Sequence, residues 1–175
     1  MAVSGLFLIA FVVLHLVGNS LNTYALNLPN IGKLMYLIRL VMLFMLGLHA
    51  VLGIQLTMEN STANPKGYAV KKKLRVSFAG ETMIWTGLLV AAFFVYHLLQ
   101  FTFSIIGGDF SQSIVVAIYV IGLLSLFLHL SHGIASFFQT MGWNNACTLP
   151  TLGKIGKSVA VVLFIGYVSI IFMNR

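Results

Sequence analysis

The sequence alternates long apolar stretches with short polar connections. Five stretches contain no Asp, Glu, Lys or Arg, namely residues 1–32, 40–58, 82–108, 110–153 and 158–174. Each is close to or longer than the roughly 20 residues with which an α-helix crosses the hydrocarbon core of a bilayer. The pattern therefore predicts five transmembrane helices, at about residues 3–21, 31–58, 76–106, 113–140 and 155–173.

Composition favours a membrane protein over a soluble domain. Of the 175 residues, 59% are hydrophobic and only 7% are charged, whereas charged residues make up about a quarter of an average soluble domain. Neither a low-complexity segment nor an internal repeat is evident. We therefore predict a single all-α domain over residues 1–175, in which the first four helices form a four-helix bundle and the fifth packs outside it.

The basic residues predict the orientation of the chain. The connection between the second and third helices carries a basic cluster, made of Lys66, Lys71, Lys72, Lys73 and Arg75. Lys154 and Lys157 precede the fifth helix, on the same side of the membrane by parity. Because cytoplasmic loops are rich in Lys and Arg, we predict a cytoplasmic N-terminus and an external C-terminus. This topology accounts for the net charge of +7 without a nucleic-acid partner.

Each of the first four predicted helices contains a histidine within its apolar stretch. The segments are FVVLHLVGN, MLGLHAVLG, FFVYHLLQF and LFLHLSHG, and the residues are His15, His49, His97 and His129. An ionisable side chain in hydrocarbon is costly unless it has a partner, so an intramembrane histidine indicates a functional site. Four such residues, one in each helix, suggest two pairs, and facing imidazoles are the ligands of bis-histidine haem iron.

The depths of the histidines predict which ones pair. Each lies on the C-terminal side of the centre of its helix, and successive helices run in opposite directions. His15 and His97 therefore form an outer pair, and His49 and His129 form an inner pair. In an antiparallel four-helix bundle these pairs lie on diagonal helices, which face each other across the core. We predict two b haems stacked along the membrane normal, with these four histidines as axial iron ligands and none from the fifth helix.

Other residues are secondary candidates for the same sites. Gly18, Gly53 and Gly133 lie one turn after a histidine, where they either leave room for a flat macrocycle or serve ordinary helix packing. Arg39 either contacts a haem propionate or extends to lipid headgroups. His132 either contacts a propionate or bonds to the backbone of its own helix, and His129 is preferred to it as the ligand.

Several segments resemble the cytochrome b subunit of the succinate:quinone oxidoreductases, in the single-chain, two-haem, five-helix class. They cover most of the chain in order and are SGLFLIAFVVLHLVGN, LNTYA, LHAVLGIQL, PKGYAVKKK, VYHLLQF, FLHLSHGIASF and TMGW. The resemblance implies that His15 and His97 bind an outer haem b, and that His49 and His129 bind an inner haem b. The family has a longer polar segment before the first helix and a longer first connection than this chain.

The resemblance also implies partners and a location. It implies a subunit of succinate dehydrogenase or fumarate reductase in a bacterial cytoplasmic membrane, surrounded by lipid, with a FAD-containing flavoprotein and an iron–sulfur subunit on the cytoplasmic face. Menaquinone or ubiquinone is then the exchangeable substrate. The chain has a single cysteine, Cys147, and no evident flavin or dicarboxylate motif, so the dicarboxylate chemistry is expected in partner chains.

Two alternatives remain open from the sequence. A di-haem cytochrome b of a membrane hydrogenase or formate dehydrogenase has the same kind of cofactor and a different partner. A proton-conducting or purely structural membrane protein would use the histidines as a relay or as packing groups. The cytochrome bc type fits less well, because it places two ligands on each of two helices.

Overall fold

The computed structural model describes residues 1–20, 31–63 and 78–175. These residues form six α-helices, and a π-helical turn at Leu98–Thr102 continues the fourth. The helices are α1 (Ala2–Ser20), α2 (Ile31–Ala63), α3 (Phe78–Glu81), α4 (Met83–His97), α5 (Ser113–Thr140) and α6 (Leu149–Met173). The basic cluster between the second and third predicted helices falls outside the described residues.

Five helical segments are long and apolar enough to cross a membrane, with mean hydropathy between 1.7 and 2.4. They are α1, most of α2, α4 with its π-turn, α5 and α6. Large apolar side chains point away from the protein, as Leu14 (69% exposed) and Phe44 (66% exposed) illustrate. Such a surface is favourable in lipid and unfavourable in water. The prediction of an all-α, multi-pass membrane protein with five spans is confirmed.

The third predicted helix is shorter and less regular than the sequence pattern indicated. The predicted continuous helix over residues 76–106 is interrupted at Thr82, between α3 and α4, and ends in the π-turn at Thr102. Ser104 then adopts a positive φ of 53°, which stops the helical path. Hydropathy cannot detect these features, because the residues that follow the π-turn are as apolar as those that precede it.

Two further helix ends differ from the prediction. α2 continues past Met58 to Ala63, where the hydroxyls of Ser61 and Thr62 both donate to the carbonyl of Met58. α6 begins at Leu149 instead of residue 155, with Pro150 in its first turn. Proline is favourable there because the first helical N–H groups have no partner within the helix.

The connection between the π-turn and α5 exposes an acidic residue. Asp109 is fully exposed, and its carboxylate accepts hydrogen bonds from the hydroxyl and the backbone N–H of Ser111. These bonds hold the pKa of Asp109 below its usual range. A carboxylate is unfavourable in hydrocarbon, and Asp109 lies between two candidate spans, Met83–Thr102 and Ser113–Thr140.

The long helices pack in the order α1, α2, α4, α5, with α5 returning to α1. Within the described residues, the backbones of α1 and α4 do not touch each other, nor do those of α2 and α5. These two combinations are the diagonals of the bundle. The interior is therefore bridged by side chains that reach across it.

α6 lies outside this ring of four helices and covers the seam between α5 and α1. It packs closely on α5 because Gly156 has no side chain, and an added Cβ there would lie 3.2 Å from the Cβ of Ile134. Tyr167 ties α6 to α1 by donating a hydrogen bond from its hydroxyl to the carbonyl of Val12, at 2.7 Å. Ala160 lies in this seam and is only 1% exposed, the lowest value among the buried hydrophobic residues of the described ranges.

Candidate functional site

His15 on α1 and His97 on α4 face each other across one diagonal of the bundle. Their ring centres are 5.9 Å apart, and the ring planes are at 87° to each other. Phe11 stacks on His15 with a centre-to-centre distance of 5.4 Å, and Phe101 lies at the same distance from His97. The structure thus brings together the two histidines that were assigned to the outer pair from their predicted depth in the membrane. Aromatic side chains lie next to both of them.

His49 on α2 and His129 on α5 meet across the other diagonal. Their ring centres are 6.2 Å apart, and the planes are at 80°. These are the residues assigned to the inner pair. Each pair therefore joins two helices that lie diagonally opposite each other. The outer pair joins α1 and α4, and the inner pair joins α2 and α5.

The separation of the paired rings is longer than that of a direct hydrogen bond between them, and it also fits an ordinary edge-to-face ring contact, which is the arrangement of both pairs. Two imidazoles joined by an N–H···N bond of about 3.0 Å would have their centres about 5.3 Å apart. Two imidazoles bound to one metal ion at about 2.0–2.1 Å would have their centres about 6.4 Å apart. Both observed separations exceed the first value, and 6.2 Å in the inner pair approaches the second. Among the described residues, no hydrogen bond joins the two rings of either pair.

Hydroxyl groups fix the ring nitrogens of the inner pair. Ser4 Oγ lies 3.2 Å from His49 Nδ1, and Thr86 Oγ1 lies 3.4 Å from His129 Nδ1. The single hydroxyl hydrogen of Ser4 is donated to the carbonyl of Met1, and that of Thr86 to a carbonyl one turn earlier in its helix. With the hydroxyl hydrogens used in this way, each oxygen accepts from Nδ1–H, which favours the Nδ1–H tautomer of both histidines and leaves the lone pair on Nε2.

A glycine on the neighbouring helix packs closely against each of the two inner histidine rings. A Cβ added to Gly5 would lie 3.2 Å from Cε1 of His49, and one added to Gly87 would lie 3.1 Å from Cε1 of His129. Both distances are tighter than an ordinary carbon–carbon contact, so only glycine admits the ring at its present position. Each histidine of the inner pair is thus supported by a hydroxyl residue and a glycine that are adjacent in sequence.

These equivalent contacts reveal an internal repeat, and the prediction that the chain has none is wrong. SGLFLIAFVVLH, which ends at His15, aligns without gaps on TGLLVAAFFVYH, which ends at His97, and half of the positions are identical. LGLHAVLGI and LFLHLSHGI align in the same way around His49 and His129. The repeat was missed because most of its identities are Leu, Ala, Val and Phe, which are common in any membrane helix. The shared spacing from Ser/Thr-Gly to His was the available signal.

The repeat relates α1 and α2 to α4 and α5 by a pseudo-two-fold axis. The helix contacts are consistent with this axis. It relates the contact between α1 and α2 to that between α4 and α5, and the contact between α1 and α5 to that between α4 and α2. Each histidine pair contains one residue from each repeat, so both pairs lie on the axis. α6 has no counterpart among the described residues.

Two of the three glycines singled out from the sequence lie against methionine side chains. An added Cβ at Gly53 would lie 3.2 Å from Cε of Met1, and one at Gly133 would lie 3.6 Å from Cε of Met83. These contacts also obey the repeat and agree with the packing role. Gly18 lies in α1, three residues after His15. The residues that sequence analysis missed are Gly5 and Gly87, with their neighbours Ser4 and Thr86.

Arg39 and His132 are not part of either pair. Arg39 is exposed on α2, and His132 is half-buried on α5. In the described ranges, His132 makes no ring contact with another histidine, whereas His129 does. Contacts of Arg39 and His132 with a haem propionate remain predictions.

The donor set limits what the pairs can bind. Within residues 1–20, 31–63 and 78–175, no group of three or more His, Cys, Asp or Glu side chains is placed to hold a metal ion. A protein site for Zn²⁺ requires three or four such donors, so two histidines alone do not make one. A haem would bring most of its iron ligands with it and would need only two from the protein, so the two-histidine donor set suits this group.

Comparison of the chain with protein-family models, with curated proteins and with solved structures finds no match. Membership of the cytochrome b family therefore remains a prediction from the sequence segments.

Proposed function

We propose that this protein is a di-haem cytochrome b that carries electrons through a membrane. The observation that supports the proposal best is the pair of two-histidine sites on the diagonals of an apolar bundle, with no third donor among the described residues. A bound haem supplies a one-electron iron couple. His15 and His97 would hold the outer haem, and His49 and His129 would hold the inner haem.

The protein's own residues prepare the ligands. Ser4 and Thr86 keep Nδ1 protonated, so that Nε2 of each inner histidine is available as a donor. A hydrogen bond from Nδ1–H also raises the basicity of a ligating imidazole and fixes the orientation of its ring. Phe11 and Phe101 would add apolar surface beside the outer pair.

We further propose that the chain is the membrane anchor of a succinate:quinone oxidoreductase. Its partners would be a FAD-containing flavoprotein and an iron–sulfur subunit on the cytoplasmic face, close to the inner pair, and its exchangeable substrate would be a membrane quinone. The sequence segments around each histidine support this assignment over the hydrogenase and formate dehydrogenase alternatives. Purification of the complex from its native membrane decides between them, by whether a flavoprotein or a metal-containing hydrogenase or formate dehydrogenase accompanies the chain.

The test of the cytochrome assignment is the absorption spectrum of the purified full-length chain, produced in cells supplied with haem precursor. We expect a Soret band and the sharp α-band of six-coordinate low-spin haem b, with about two haems bound by each chain. The double variant His15→Ala/His49→Ala leaves one imidazole at each site and should bind little haem. A well-folded wild-type chain with no Soret band would overturn the cytochrome assignment.

The predicted topology is tested by cysteine labelling in intact cells. Asp109→Cys in a Cys147→Ser background should react with an impermeant reagent added outside, because the 103–112 connection is predicted to be external. Cys147 of the wild-type chain is exposed, lies in the connection before α6, and should not react. Asn64→Cys, which falls outside the described residues, should also be protected. External labelling of Cys147 or of Asn64→Cys would reverse the orientation.

A further inference from the structure

The outer pair is where the two repeats differ most. In the second repeat, the ring of His97 contacts the hydroxyl of Tyr119. When the two alignments are continued with the same offsets, Arg39 corresponds to Tyr119 and Gly18 corresponds to Gln100. Within the described residues, the ring of His15 has aromatic neighbours, Phe11 and Tyr167, and no hydrogen bond to its nitrogens. The two sides of the outer pair are therefore chemically unequal.

His97 stands at one end of a buried hydrogen-bond chain. Nδ1 of His97 lies 3.1 Å from the hydroxyl of Tyr119, which donates to Oε1 of Gln100 at 3.0 Å. Nε2 of Gln100 in turn donates to the carbonyl of Gly108 at 2.8 Å. Tyr119 is 5% exposed and Gln100 is 6% exposed, so neither has water as an alternative partner. Because Tyr119 has already donated its hydrogen, it accepts from Nδ1–H, and Nε2 of His97 keeps its lone pair.

The backbone around this hydrogen-bond chain has two unusual features. Gln100 lies in the π-turn Leu98–Thr102, an element that occurs frequently at functional sites. Gly108 has a φ of 114°, and an added Cβ would lie 3.1 Å from Oε1 of Gln112 and 3.2 Å from Cγ2 of Val115. Only glycine satisfies both constraints while presenting its carbonyl to Gln100. Irregular backbone of this kind persists where the surrounding contacts maintain it.

Space on α5 allows Tyr119 to reach His97. Gly122 lies one turn after Tyr119, and an added Cβ would lie 2.3 Å from Cγ of Phe93. Phe93 therefore packs into the surface of α5 and tilts away from His97, with a centre distance of 6.3 Å and an angle of 45°. In the first repeat, the buried Met42 corresponds to Gly122, and Phe11 corresponds to Phe93. Phe11 stacks directly on His15, with an angle of 15° between the ring planes.

We propose that Tyr119, held by Gln100, is a positioning residue that makes His97 the stronger electron donor of the outer pair. This inference rests on the proposed function. An imidazole whose Nδ1–H is bonded to an acceptor is a more basic ligand, which favours the oxidised metal. Loss of the Tyr119 hydroxyl should therefore raise the midpoint potential of the outer haem and leave the inner haem unchanged. Retention of the outer haem should weaken by about 10–100-fold.

The test compares two identical chemical changes in the full-length haem-loaded chain. Tyr119→Phe removes the hydroxyl that contacts His97 and keeps the ring. Tyr96→Phe is the matched control, because Tyr96 is half-buried and its ring packs 6.0 Å from that of Tyr119. A redox titration with optical detection should show an upward shift of one haem in Tyr119→Phe and none in Tyr96→Phe. Equal shifts in the two variants, or equal shifts of both haems, would overturn the proposal.

A second variant separates the hydrogen bond from packing. Gln100→Met removes the acceptor for the Tyr119 hydroxyl and keeps a side chain of similar length, so it should give a smaller upward shift of the same haem. The absence of a shift in both Gln100→Met and Tyr119→Phe would refute the positioning role.

A nitrogen-15 spectrum of histidine in the haem-free chain gives a readout that does not need the cofactor. His97 should be the Nδ1–H tautomer in the wild type and a mixture of tautomers in Tyr119→Phe. If the wild-type chain binds no haem, the cytochrome assignment fails while this spectrum still tests the positioning of His97. If haem binds and the tautomer of His97 does not respond to Tyr119→Phe, only the positioning role fails.

Discussion

His15→Ala and His97→Ala should remove one and the same haem, and His49→Ala and His129→Ala should remove the other. Each substitution leaves one iron with a single axial imidazole, which weakens or empties that site without touching the second one. Haem content should fall from two to about one for each chain, and the remaining component should keep its potential. Haem analysis and redox titration of the four purified variants measure both quantities.

His132→Gln is the control for the pairing experiment. His132 lies three residues from His129 on the same helix, but its ring makes no contact with His49 within the described ranges. This variant should retain both haems in the six-coordinate low-spin state. The diagonal arrangement would be refuted if His15→Ala and His49→Ala removed the same component. A high-spin signal in His132→Gln and not in His129→Gln would move the ligand by three residues.

Gly87→Leu and Gly5→Leu should each disrupt the inner pair and spare the outer pair. Even a Cβ at these positions would lie 3.1–3.2 Å from an inner histidine ring, and the larger leucine side chain forces the ring or the helix to move. Overpacking of this kind costs about 1–3 kcal/mol. Displacement of the ring also separates its Nδ1 from Ser4 or Thr86. Haem content should therefore fall by about half, with loss of the component that His49→Ala removes.

Gly47→Leu is the matched control for the glycine variants. Gly47 is exposed on α2 and an added Cβ would meet nothing within 4 Å. It precedes His49 by two residues and so faces nearly the opposite side of the helix. Both haems should remain in Gly47→Leu. Equal haem loss in Gly47→Leu and Gly87→Leu would show that bulk in a helix, and not the support of His129, is responsible.

The spans were predictable because charged residues are excluded from hydrocarbon, and the charge-free runs therefore outline the helices directly. The bounds of α5, Ser113–Thr140, match the prediction. The bounds of α6 do not match, because the helix was predicted to begin at residue 155, whereas it begins at Leu149 with Pro150 in its first turn. The π-turn at Leu98–Thr102 was also beyond prediction, because it depends on where Gln100 finds a partner once the chain has folded.

The histidine pairs were predictable because depth and helix direction together determine which residues meet. Their supporting groups were not, because Ser4 and Thr86 are small polar residues at helix positions where such residues commonly bond to their own backbone. Which of them also reaches a histidine depends on the rotation of each helix about its axis. Tyr119 lies far from His97 in sequence, so its hydroxyl contact follows only from the packing of α4 on α5.

The repeat has a consequence for the ancestry of the chain. Because each pair takes one histidine from each repeat, a dimer of a single two-helix unit would already contain both sites complete, as two identical halves related by a true two-fold axis. Gene duplication and fusion would then free the halves to diverge. The inner pair has the same Ser/Thr-Gly support on both sides, whereas the outer pair is asymmetric through Tyr119 and Gln100. Divergence of the outer pair alone would be expected if only that site had been selected for a different property.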